Sequence, residues 1–253
     1  PLEGCTNLTN LELQNNQIRD LSALGNQFQG LVHLNISHNR AADLSPLADC
    51  VKLSVLVGDH NEITSLEGLE NKSSLKAVVL NDNQIRETDP LGSSFNQLVY
   101  LDLGNNQVSD ISPLSNLTMG KAVLLLENNQ IKEIQSLPSH IEYQALILFG
   151  NPIVDLSALE AFEKVNSIWD ILYFSYQTGQ DYTLVGNSGY KENLYIVDAP
   201  VEQQAALQRQ IKESRSRFSS DPNFITGQEA DANMEAYRKE LLKTWNGERE
   251  DEK

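Results

Sequence analysis

The chain has 253 residues, 40% of them apolar, enough to bury a substantial core within one or two domains. Thirty-five acidic side chains against 19 basic ones leave a net charge of −16, so a nucleic-acid backbone or an anionic lipid surface is repelled at long range. Apolar runs such as Val123–Leu126 and Ala145–Phe149 fall far short of the roughly 20 residues a membrane helix needs, so no membrane span is expected. Two cysteines are too few for a disulfide framework.

From the first residues onward the chain repeats itself. Pro1–Leu8 superposes on Pro46–Leu53, the outer half of a repeating unit, so the chain is expected to start in mid-repeat. An Asn preceded by the pattern Leu-x-x-Leu-x-Leu-x-x returns at Asn16, Asn39, Asn61, Asn83, Asn106, Asn129 and Asn151, at spacings of 23, 22, 22, 23, 23 and 22. Leu13, Ile36, Leu80, Leu103, Leu126 and Leu148 stand three residues before it, with a lapse at Gly58. Leu11, Leu34, Leu56, Val78, Leu101, Leu124 and Leu146 stand five before it.

Two-residue alternation puts Leu101 and Leu103 on one face of a short strand, and Tyr100 and Asp102 on the other. The interior Asn turns the chain, and its amide can satisfy backbone groups of the bend that are otherwise buried unpaired. Six residues further on, Ser45-Pro46, Asp89-Pro90 and Ser112-Pro113 have the form of a helix cap followed by proline, predicting a helical turn on the outer side. One unit cannot bury its leucines alone; stability requires units stacked about 4.8 Å apart along a parallel sheet. Cys5 and Cys50 fall in equivalent slots two units apart, beyond disulfide reach, and are expected to be core thiols.

Segments such as Leu101–Leu114 (LDLGNNQVSDISPL) resemble the leucine-rich repeat superfamily, specifically its short class found in bacterial internalin-like proteins and in a regulatory subunit of protein phosphatase 1. The resemblance covers residues 1–159, read as seven repeats, and implies an α/β solenoid: a right-handed horseshoe with a parallel sheet on its concave side. It implies architecture far more strongly than function.

Residues 160–253 are read as a C-terminal α-rich cap and tail. Twelve of the 17 aromatics lie there, and the repeat is expected to stop. Leu159–Tyr176 is the expected cap over the solenoid's end, because an exposed sheet edge with bare leucines needs cover. Asp181–Val185 and Asn193–Val197 read as strands around the turn Gly186–Gly189. A helix opening at Asp198-Ala-Pro and running to about Phe218 would carry Val201, Leu207, Ile211 and Phe218 on one stripe. A second, Glu229–Trp245, would present Met234, Tyr237, Leu241 and Trp245. The two either pack on each other or on the cap, or form a docking element for a partner helix. Glu248–Lys253 should be frayed. This tail departs from internalins, where the resemblance leads one to expect an immunoglobulin-like domain.

No catalytic constellation emerges, and an enzyme is not expected. All four histidines lie in the repeats, so the tail has no imidazole or thiol for nucleophilic schemes, and no phosphate-binding Gly-Lys motif appears. No cofactor is expected. His38, His60 and Asp82 each precede a repeat Asn, with Asp59 adjacent; such a ladder could hold a metal ion, but a solvated polar rim is the favoured reading, and no metal site is assigned.

The outward residues of the strands pass from polar to apolar along the chain. Val55, Val57, Ala77, Val79, Tyr100, Val123, Leu125, Ala145, Ile147 and Phe149 line the inner face, interrupted by Asp102. A contiguous apolar patch marks an interface, although the chain's own tail could cover it, or strand propensity alone account for it. The function expected is a non-catalytic recognition module binding a protein through Val55, Val57, Asp59, Val79, Tyr100, Asp102, Leu125, Glu127, Ile147 and Phe149, with Tyr100 and Phe149 as aromatic anchors. Residues 1–159 hold 18 acidic and 8 basic side chains, hence −10 of the −16, so the ligand is expected to be neutral to basic. The resemblance implies a bacterial surface or secreted context. The alternative is an intracellular scaffold like the phosphatase-binding subunit, and a third is an effector whose tail carries an activity. If the inner face is free, Tyr100→Ala with Phe149→Ala should weaken partner binding without lowering the melting temperature.

Overall fold

A computed structural model of the chain describes residues 4–92, 97–117, 121–159, 171–182, 193–214 and 221–245. The Leu-x-Leu alternation produces short strands: β1 (Asn10–Glu12), β2 (His33–Asn35), β3 (Val55–Val57), β4 (Ala77–Val79), β5 (Tyr100–Asp102), β6 (Lys121–Leu125) and β7 (Glu142–Ile147). Three further strands follow, β8 (Ile171–Ser175), β9 (Asn193–Val197) and β10 (Asn223–Ile225), with helices α1 (Val201–Ser214) and α2 (Gly227–Trp245). All ten strands form one parallel sheet in chain order, and the molecule is a leucine-lined solenoid.

Register is set by the leucines. Leu11, Leu34, Leu56, Val78, Leu101, Leu124, Leu146, Leu172 and Leu194 pair across successive strands as one row and belong to one buried interior. The row passes straight through residue 159, where the repeat is expected to stop. Leu172 and Phe174 on β8, like Leu194 and Ile196 on β9, keep the alternation although the repeat Asn is gone. The expected cap is therefore in part more sheet; its residues 160–170 lie outside those described, as do 183–190 with the expected turn, Phe218, and 248–253. Asp181 and Tyr182 are not strand.

At Gly58 the lapse is filled from both sides: a β-carbon there would meet Leu80 Cδ2 at 3.0 Å and Ile36 Cγ1 at 3.2 Å. Cys50 is buried as expected, whereas Cys5 is exposed. The outer side carries 3-10 turns at Ser45–Asp49, Asp89–Gly92 and Ser112–Asn116, with proline in the first turn of those at Ser45 and Ser112. The serine is not the cap; it is the first residue inside. Asp43 Oδ1 accepts from Ser45 N at 2.7 Å, and Asp20, Asp110 and Asp155 do the same for Ser22, Ser112 and Ser157. These hydrogen bonds, backbone first, hold the Asp20 and Asp155 carboxyls below the usual carboxylate range.

The Asn ladder links rungs rather than its own members. Asn106 Nδ2 donates to Leu103 O (3.1 Å) and Gly104 O (3.0 Å) in its own bend and to Leu80 O (2.9 Å) in the preceding rung, while its Oδ1 accepts from Ile85 N at 2.9 Å. Asn39, Asn61, Asn83, Asn129 and Asn151 repeat that pattern. The residue just before each Asn is forced to positive φ, which explains its composition: Asn15, His38, His60, Asp82, Asn105, Asn128 and Gly150.

In the tail, α1 sends Leu207 and Ile211 into the leucine interior, while Val201 is 81% exposed and lies off the expected stripe. α2 joins a different apolar cluster.

Asn106→Ala leaves the Ile85 amide without its acceptor and takes one donor from the Leu80, Leu103 and Gly104 carbonyls, each of which keeps another, so it should lower stability to denaturant by about 1–3 kcal/mol. The same change at exposed Asn16, whose amide meets only Leu13 O and Gln14 O, should cost less than about 1 kcal/mol.

Candidate functional site

The side chains turned away from the leucines build a second apolar cluster. Val55, Val57, Ala77, Val79, Tyr100, Val123, Leu125, Ala145, Ile147 and Phe149 are joined in it by Tyr173 and Val197 of the added strands. Its other wall is α2, which lies along the concave face. Ala230 and Met234 are buried there, and Tyr237, Leu241, Leu242 and Trp245 pack at its margin. The chain's own tail thus covers the face on which the sequence places a ligand.

Local chemistry positions α2. Thr226 and Glu229 form a capping box: Thr226 Oγ1 accepts from Glu229 N at 3.2 Å, and Glu229 Oε2 accepts from Thr226 N at 2.8 Å. That amide bond comes first among the causes holding the Glu229 carboxyl below its usual range. Asp198, just after β9 and itself at φ 59°, accepts from Gly227 N at 2.8 Å and fixes the helix start against the sheet. Further along, Asn233 Nδ2 donates to the Tyr173 hydroxyl at 3.3 Å, and Asn128 Nδ2 donates to Asp231 Oδ1 at 3.2 Å.

At the centre stands a charge cluster that joins distant parts of the sequence. Arg238 of α2 donates from Nε to Asp102 Oδ2 at 2.7 Å and from Nη2 to Asp102 Oδ1 at 3.0 Å, and Nη2 also meets Glu127 Oε1. The Arg238 side chain is 13% exposed, Asp102 0% and Glu127 1%, so this is a desolvated, bidentate contact with little solvent screening. Gly104 makes the slot, for a β-carbon there would collide with both the Arg238 guanidinium and the Glu127 carboxyl.

Burial opposes the charge of Arg238, but Asp102 and then Glu127 outweigh it and hold its pKa above the usual value. Burial pushes Glu127 up to about 7 against the pull of Arg238, with Asp102 adding to the rise. Its Oε2 is buried and has no hydrogen-bond partner among the described residues. Tyr100, whose hydroxyl lies 3.3 Å from Asp102 Oδ2, is held well above its ordinary range by burial first and Asp102 second.

Nine of the ten residues read from the sequence as protein-binding are therefore brought together beneath α2: Val55, Val57, Val79, Tyr100, Asp102, Leu125, Glu127, Ile147 and Phe149. Asp59 stands apart at the rim, beside His38, His60 and Ser37. Arg238 and Gly104 escaped sequence reading. Arg238 lies 136 residues from Asp102, and only its position between Met234 and Leu241 on the predicted helix hinted at it.

A sequence model of the family described as Leucine Rich repeats (2 copies) matches residues 6–49 and 73–116. The crystal structure of internalin C2 from Listeria monocytogenes aligns with a TM-score of 0.57 at 32% identity, over 67% of this chain and 72% of that one. The chain belongs to the leucine-rich-repeat superfamily. Curated leucine-rich-repeat relatives share shorter stretches: lumican from Gallus gallus is 35% identical over 109 residues, 40% of this chain and 31% of lumican. A leucine-rich repeat-containing protein 56 homolog from Trypanosoma brucei brucei is 34% identical over 93 residues, 36% of this chain and 12% of that protein. The chain thus spans under a third of these curated relatives. No helix among the described residues is long and apolar enough to cross a membrane.

Two outcomes follow from the leucine-rich-repeat face being covered. Because both rings are 2% exposed, Tyr100→Ala with Phe149→Ala should lower stability by about 3 kcal/mol or more, seen as a fall in melting temperature. Glu127 binds a proton on folding, since its folded pKa of about 7 exceeds its ordinary 4.5. Its contribution to stability is fully present below pH 4.5 and is lost as pH rises through about 7. Urea titrations from pH 4.5 to 8 should show this decline in the native chain and a shallower one in Glu127→Gln; equal slopes would deny the shift.

Proposed function

We propose that this leucine-rich-repeat chain is a non-catalytic protein-recognition module whose binding surface is the concave sheet, and that the ligand suited to it is an amphipathic helix with a basic side chain at its centre. The observation that supports this reading is the seating of Arg238 between Asp102 and Glu127, flanked by Met234 against the valine and aromatic rows. A sheet that holds one such helix has the pockets for another: apolar rows for the helix stripe, two carboxylates for the cation, and Gly104 for its clearance. α2 occupies the place of that ligand in the free chain, so an incoming helix competes with it. The paired carboxylates favour a neutral-to-basic partner over an acidic one. The likeness to a Listeria internalin supports a place on the surface of a bacterial cell or in its secretions.

The test is competition. Met234→Glu with Arg238→Glu should detach α2 by placing two carboxylates against Asp102, Glu127 and the apolar rows. A fluorescent peptide of residues 227–245 should then bind this variant with micromolar affinity, and at least tenfold more weakly when its Arg238 is replaced by Glu. Failure of the native peptide to bind a variant whose α2 amides exchange freely would contradict the reading.

A further inference from the structure

A second site lies on the rim, at the mouth of a cleft that Arg238 also lines. The slot before each repeat Asn requires positive φ, and five of the seven rungs fill it with Asn, Asp or Gly. The two remaining rungs are neighbours and carry His38 and His60, both at φ 53°. Their backbones are pinned by hydrogen bonds to the next rung, His38 N to Asp59 O at 2.9 Å and His60 N to Asn81 O at 3.1 Å. The imidazoles are parallel within 15°, with centroids 4.3 Å apart, and the two side chains are 53% and 48% exposed.

Asp59 faces both rings. Its Oδ2 lies 3.8 Å from His38 Nε2 and 3.9 Å from His60 Nε2, too far for hydrogen bonds. Its Oδ1 is held by the Ser37 hydroxyl at 2.5 Å, which orients the carboxylate and leaves Oδ2 toward the imidazoles. One ligand atom from each of the three residues falls within 4.8 Å of the others. In a tetrahedral zinc site the donor atoms are about 3.4 Å apart, so small rotations of exposed side chains bring the three to coordinating distance. The cluster opens onto a cleft of about 590 Å³ that Asp82, Asp231 and Glu235 also line, together with Arg238 and Lys239.

We propose that His38, Asp59 and His60 form a binding site for a divalent transition-metal ion at the rim of the concave face. Two imidazoles with one carboxylate select zinc, nickel or copper over calcium and magnesium, which prefer oxygen donors alone. The three donors lie on one side, so the open coordination positions face solvent and the cleft, where water or a donor from a bound protein completes the shell. The site does not depend on what the concave face binds.

The experiment measures Zn²⁺ binding to the tag-free full chain by competition with a chromophoric chelator. The comparison is His38→Asn with His60→Asn. Asn occupies the same slot at Asn15, Asn105 and Asn128, so this variant keeps the backbone conformation, checked by an unchanged melting temperature in chelator. Asp59→Asn, which can still accept from Ser37, is the second variant. One Zn²⁺ should bind the native chain with micromolar affinity and raise its melting temperature, and both variants should bind at least about tenfold more weakly. Equal affinity in the native chain and the double variant, no saturable binding at all, or loss only on substituting His33 or His140 would overturn the proposal.

Discussion

Asp102 ends β5 opposite Leu125 of β6, Glu127 follows two residues past the end of β6, and shutting both carboxylates away from water demands a cation. Arg238 meets the demand, and the rest of the concave face follows from it. The apolar rows that flank the carboxylates have a cover, α2 has a register along the sheet, and Gly104 has a reason to lack a side chain.

The two apolar clusters differ in how they are held. In the leucine interior each rung touches the one about 22 residues away, and the Asn side chains stitch neighbouring bends with bonds of 20 to 26 residues' separation. Such contacts close short loops and sum rung by rung. The bonds from Arg238 span 111 and 136 residues. α2 is thus joined to the solenoid largely by contacts between segments far apart in sequence, unlike the rung-to-rung contacts of the interior. That difference from the leucine interior supports the proposal that the concave face exchanges its occupant.

The solenoid was legible because its rules are local: the Asn period, the Leu-x-Leu alternation and the Ser-Pro turns each speak within a few residues. Even there the residue that holds the turn was misassigned: Ser45 is the first residue inside it, and the hydrogen bond to its amide comes from Asp43, two positions earlier. Strand β9 was legible as Asn193–Val197, but β8 and the joining of both to the repeat sheet were hidden by the loss of the Asn, although Leu172 and Leu194 are again 22 residues apart and share the repeat's alternation. The inner-face residues were correctly gathered on one side, because alternation fixes sidedness. Cover by the tail was one of the open readings, but which helix supplies it was not legible. Asp102 and Glu127 were visible as charges in an apolar row, but nothing local picks Arg238 from the 19 basic residues as their partner. The histidines of the rim were visible as a ladder; what sequence lacked was Ser37 turning Asp59 toward them.

Amide hydrogen exchange on the native chain and on Arg238→Ala tests the central claim most directly, that the ion cluster holds α2 on the concave sheet. The account predicts slow exchange along α2 in the native chain, loss of that protection in the variant, and unchanged protection in β3 to β7. Equal protection of α2 in both proteins, or fast exchange of α2 in the native chain, would contradict it.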